Sequence, residues 1–80
     1  MEKTFECGEY TVTLNAAFDE QVPAETRVRI DIVINRTDTG EDVFTERRFF
    51  ARMGGPVGLH DGIRHGENLA RATIERGALG

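Results

Sequence analysis

The chain has no tryptophan, one cysteine and two prolines. Lys3 is the single lysine among its ten basic residues. Each shortage excludes something. Cys7 has no intrachain partner, so no internal disulfide staples the 80 residues, and a reducing cytoplasm suits the composition. There is no apolar run of about 20 residues, the length a membrane helix needs. The first apolar stretch is broken by Glu6, Gly8 and Glu9, unlike an export signal. Excess positive charge is missing too. A formal charge of −4 argues against a general binder of nucleic acid or anionic membrane, since both rely on basic surface. The charge present is unevenly placed: residues 1 to 42 hold ten acidic and four basic side chains, residues 43 to 80 four acidic and six basic. Nearly all the cations are arginine, which favours bidentate pairing with carboxylates and stacking on rings.

Eighty residues make one domain, 1 to 80, whose core is near the lower limit for standing alone. Association with a second copy or a partner would add stability. The clearest element is the stretch from Arg27 to Asn35, where Val28, Ile30, Ile32 and Ile34 alternate with Arg27, Arg29, Asp31, Val33 and Asn35. That period of two predicts a strand with one dry and one wet face. Residues 4 to 7 and 10 to 18 also read as extended, with Tyr10, Val12, Leu14, Ala16 and Phe18 on one face. Phe5 and Cys7 have the opposite parity, which a glycine bulge at Gly8-Glu9 within one strand would reconcile. Asp19 to Thr26 is a surface loop with Pro23 and four acidic or amide residues.

Arg36 to Glu41 is turn chemistry, and a further strand from about Asp42 to Met53 is expected in either of two registers. A three-residue loop puts Phe44 and Phe50 on the dry face with Glu46 and Arg48. A four-residue loop instead buries Val43, Phe49, Ala51 and Met53 with Thr45 and Arg47. At least one of Phe44, Phe49 and Phe50 then lies outside beside Arg27, Arg29 and Val33, unless a bulge at Arg47-Arg48 resets the parity. Met53 to Pro56 breaks the strand, with Pro56 placed for the first turn of a helix. From Leu59 onward the apolar residues fall on one arc at helical spacing. Gly58, Gly62 and Gly66 recur along its edge, which requires close backbone approach or a break near Gly62 or Gly66. The expectation is a short turn over residues 57 to 61, then a helix from Ile63 to Arg76 stopped by Gly77. The predicted fold class is α+β: a three-stranded antiparallel meander covered on one face by a C-terminal helix, with a break near Gly62 allowed.

Specific chemistry is scarce. His60, Asp61, His65 and Glu67 do not converge on one ion if the segment is helical, and solvated helix surface is the stronger reading. Cys7 lies between Glu6 and Glu9, with no histidine nearby in sequence to act as its base. Gly54 to Gly58 lacks the Lys-Ser/Thr ending of a phosphate loop. No nucleophile, base and stabiliser assemble, so no catalytic residue, metal or cofactor is assigned and the chain is read as a non-enzyme. The outer sheet face is more informative. Arg27 and Arg29 project there with Asp31 and Val33, joined by Arg47 or Arg48 and an aromatic such as Phe49. Arginine among aromatics stacks single-stranded nucleic acid and also makes protein interface hot spots. Asp31 and the acidic balance favour a protein partner over direct nucleic-acid binding.

This combination resembles the small phage-encoded anti-CRISPR proteins: a tiny, acidic, cysteine-poor α+β chain with strands around Tyr10 to Phe18, Arg27 to Asn35 and Val43 to Met53, then a helix ending near Arg76. The resemblance is one of overall type and carries no motif. It implies a non-enzymatic inhibitor in the cytoplasm of an infected bacterial host, binding a type I CRISPR effector subunit and blocking target-DNA binding or nuclease recruitment. Asp19, Glu20 and Glu25 would then mimic phosphate while the arginine and phenylalanine face grips protein. The alternatives are a small nucleic-acid-binding regulator and a homodimeric structural module.

Overall fold

The computed structural model describes residues 1–19, 27–51 and 58–77. Four strands and a helix follow in order: β1 (Glu2–Cys7), β2 (Tyr10–Phe18), β3 (Val28–Arg36), β4 (Asp42–Phe50) and α1 (Leu59–Glu75). Each strand pairs antiparallel with its neighbour in sequence, so the sheet order is β1-β2-β3-β4. The antiparallel meander with one C-terminal helix is as expected, but it has four strands and not three. Gly8-Glu9 is the reason. In a two-residue reversal the flanking residues face each other, here Cys7 and Tyr10, and they necessarily differ in parity. The parity slip in the sequence is therefore a hairpin and not a bulge within one strand. Gly8 takes the left-handed φ of 62° that such a turn requires.

The second hairpin combines both expected registers. Arg36 and Glu41 close a four-residue loop: the Arg36 N–H donates to the Glu41 carbonyl at 2.9 Å and the Gly40 N–H to the Arg36 carbonyl at 2.7 Å. Asn35 then pairs with Asp42, but Ile34 pairs with Phe44, which leaves Val43 as an extra residue. This bulge, and not one at Arg47-Arg48, resets the parity. Both Val43 and Phe44 pack against the core. Phe44, Glu46, Arg48 and Phe50 thus share the dry face with β3, opposite Ile34, Ile32, Ile30 and Val28.

The core is Val12, Leu14, Ala16, Val28, Ile30, Ile32 and Ile34 of the sheet with Ile63 and Ala70 of the helix. Full burial of each Ile or Leu contributes about 1.5–3 kcal/mol. The helix runs unbroken from Leu59 to Glu75, without the expected turn and break near Gly62. Close approach explains its glycines: a Cβ on Gly62 would lie 2.6 Å from Val28 Cγ1, and one on Gly66 2.9 Å from Ile30 Cγ2. Gly77, at φ 66°, follows the last turn as expected. α1 lies over β2 and β3 and meets β1 and β4 only at its margins. The Pro56 expectation falls outside the described residues. No described helix is long and apolar enough to cross a membrane.

Candidate functional site

Among the described residues, no helix or strand lies over one face of the sheet. Strand pairing sorts its side chains into rows across the strands. One row is Ala17, Arg29 and Phe49; the next is Glu2, Asn15, Asp31 and Arg47. Thr4, Thr13, Val33 and Thr45 form a third, and Glu6, Thr11, Asn35 and Asp42 a fourth. The face therefore grades from acid on β1, through short hydroxyl side chains, to arginine and phenylalanine at the β3–β4 corner. The threonine row was legible only as alternation in β2, because its extension onto β1 and β4 depends on registers that the sequence left open. Within that row the Thr4 and Thr13 hydroxyls lie 3.5 Å apart, and in the next row Thr11 pairs with Thr37 of the turn at 2.8 Å.

Carboxylates face the three arginines at the corner, and two of the three are hydrogen-bonded to them. Arg47 Nε donates to Asp31 Oδ1 at 2.7 Å, and Arg29 Nε lies 3.6 Å from the other carboxylate oxygen. Arg27 Nε donates to Asp19 at 2.6 Å. The Asp19 N–H in turn donates to the Arg27 carbonyl at 3.0 Å, so this pair continues the β2–β3 ladder and clamps the two strand ends together. The Arg27 guanidinium lies 4.9 Å from the centre of the Phe49 ring. Phe49 is nevertheless 51% exposed, the most exposed large apolar side chain among the described residues. A single exposed phenylalanine is ordinary on a protein surface; what distinguishes this one is its arginine neighbours, Arg27 against the ring and Arg29 directly opposite on β3.

Of the sequence-derived candidates, Asp19, Arg27, Arg29, Asp31, Val33, Arg47 and Phe49 thus come together on one face. Arg48 does not: it projects on the helix side, where it pairs with Glu46 at 2.8 Å, and this carboxylate raises its pKa further above the usual arginine range. Glu20 and Glu25 lie outside the described residues.

The helix side carries two margins that the sequence did not pair. Toward β4, His65 stacks on Phe50 with ring centres 4.8 Å apart, at the edge of a shallow groove of about 220 Å³ shared with Asp61, Arg64 and Asn68. His65 is thus half-buried, while His60 is exposed. Toward β1, Glu67 receives hydrogen bonds from Lys3 at 2.8 Å and from Arg71 at 3.1 Å, and these two cations, Lys3 foremost, hold its carboxyl below the usual range. Arg71 also covers the Phe5 ring, 4.7 Å from its centre, with Cys7 Sγ 3.9 Å away. Among the described residues, no three His, Cys, Asp or Glu side chains are grouped to hold a metal ion. Comparison with protein-family models, curated proteins and solved structures finds no match for this chain.

Proposed function

We propose that this protein is a non-enzymatic inhibitor that docks the open sheet face on a protein subunit of a bacterial type I CRISPR effector complex, blocking target-DNA binding or nuclease recruitment. The observation that carries the docking is the Phe49 corner. Its anchor is apolar and exposed, and Arg27 and Arg47 beside it are already hydrogen-bonded to Asp19 and Asp31, so less side-chain freedom is lost on contact. The identity of the target rests on the resemblance in size, acidity and architecture to anti-CRISPR proteins.

Direct nucleic-acid binding fits less well. Arg27, Arg29 and Arg47 share two carboxylates, so few cations at the corner are available to release counterions from phosphate. Arg27 also occupies one face of the ring on which a base would stack. Because Asp19 is committed to Arg27, phosphate mimicry by the loop would fall to Glu20 and Glu25. Reversing those two charges tests it without opening the clamp, and inhibition is expected to weaken.

The test of the whole reading uses a purified type I effector complex. Co-elution of this protein with the complex and loss of target-DNA binding are expected, with Phe49→Ala weakening association about 10- to 100-fold. An effector that neither retains the protein nor loses DNA binding overturns the reading. Binding of single-stranded DNA by the protein alone, lost steeply with salt, would assign the face to nucleic acid instead.

A further inference from the structure

β4 is an edge strand, and its outer side carries unpaired backbone N–H and C=O groups with no neighbour among the described residues. Edges of this length are normally blunted. Here the bulge at Val43 and the end of the strand at Phe50 delimit a regular segment, residues 44 to 50, whose midpoint is Arg47. We propose that a second copy of this chain pairs with this segment. Two β4 strands would run antiparallel about a two-fold axis at Arg47, making one eight-stranded sheet with both helices on the same side.

Self-complementarity is the argument. In antiparallel pairing, directly opposite residues share a face. With Arg47 at the centre, Glu46 of each copy meets Arg48 of the other, and Phe44 of each meets Phe50 of the other, all on the helix side. Thr45 meets Phe49 on the open face. Moving the axis by one pair in either direction, the smallest shift that keeps the faces aligned, opposes Glu46 to Glu46 or Arg48 to Arg48 and loses both aromatic pairs. Charges that would guard the edge against strangers thus set the register for a copy of the same chain. The one like-charge juxtaposition is Arg47 with its copy, and each is ion-paired with its own Asp31 at 2.7 Å, which offsets part of the repulsion. The opposite edge offers no such match, because β1 presents Glu2 and Glu6 on one face. Partial cover fits as well: α1 only grazes β4, so Phe44 and Phe50 sit at its margin. The pairing also joins the two Phe49 corners across the axis, although it does not depend on what those corners bind.

Sedimentation of the full chain is expected to give twice the 8.9 kDa chain mass. Glu46→Arg places arginine opposite arginine at two symmetric sites, and Arg48→Glu does the same with acid; each alone is expected to weaken the dimer about tenfold or more. An equimolar mixture of the two variants restores complementarity, since each arginine pair then faces a glutamate pair. A heterodimer of wild-type affinity is the expected result, and a merely structural role of the Glu46–Arg48 contact within one chain would not produce it. Hydrogen exchange on the unaltered protein gives an independent reading: β4 amides on both sides of the strand are expected to be protected, whereas an unpaired edge exchanges alternate amides freely. A monomer at all concentrations, a dimer insensitive to both variants, or freely exchanging alternate β4 amides overturns the proposal.

Discussion

A Cβ built on Gly62 would meet Val28 Cγ1 at 2.6 Å and Val28 Cβ at 3.3 Å; one on Gly66 would meet Ile30 Cγ2 at 2.9 Å and Leu14 Cδ2 at 3.4 Å. The atoms in the way belong to fully buried side chains of the sheet, so they have nowhere to go without moving the strand or the helix. Alanine would gain about 1 kcal/mol in helix propensity at each position. Overpacking costs about 1–3 kcal/mol, and the two contacts under 3 Å put these sites at the upper end. Gly62→Ala and Gly66→Ala are therefore both expected to destabilise the protein in urea unfolding, Gly62→Ala by more. Recurring glycine along an apolar arc was visible in the sequence, but it has two physical causes, contact and breakage. Only the position of Val28 and Ile30 under the helix decides between them.

Among the elements, α1 starts on the Asp61 carboxylate, which accepts a hydrogen bond from the Gly58 N–H at 3.0 Å and places a negative charge in the first turn. Gly58 itself has no side chain with which to cap, so the Asp61 carboxylate supplies the side-chain contact at this end. Asp61→Ala is expected to cost about 1 kcal/mol of stability, measured by thermal or urea unfolding. The strands show where sequence reasoning succeeds and where it stops. β3 was legible because apolar and polar residues alternate without exception from Val28 to Ile32. β1 was readable in parity but was assigned to the same strand as β2, because a one-residue slip and a two-residue reversal leave the same mark on Cys7 and Tyr10. β4 was ambiguous because every unbulged register puts charge on the dry face. The bulge at Val43 sets the register and leaves Glu46 and Arg48 on the dry face, and no residue type at that position announces a bulge. The same uncertainty is why Arg47 could be placed beside Phe49 only as one of two alternatives with Arg48.

Across the whole molecule, the first strand is tied to the helix by charge. Lys3 and Arg71 hold the Glu67 carboxyl below its ordinary pKa, so the carboxylate favours the folded state above that ordinary value and its contribution is lost as the pH falls through the lowered one. Glu67→Gln is expected to lower stability at neutral pH by no more than about 1 kcal/mol, the scale of a solvent-reached ion pair. The difference between the two proteins should close in acid, which paired urea titrations at neutral and low pH would show.

The order of the sheet has a further consequence for the chain as it is made. Every strand finds its neighbour next to it in sequence, so the meander can begin to zip while the ribosome is still adding residues. The layer that shields Val12, Leu14, Ile30 and Ile32 arrives only with Leu59 to Glu75. Until those residues emerge, a half-finished chain exposes its oiliest surface to the crowded interior of the cell. The window in which the nascent protein is vulnerable to chaperones, proteases and clumping therefore closes only with the synthesis of α1.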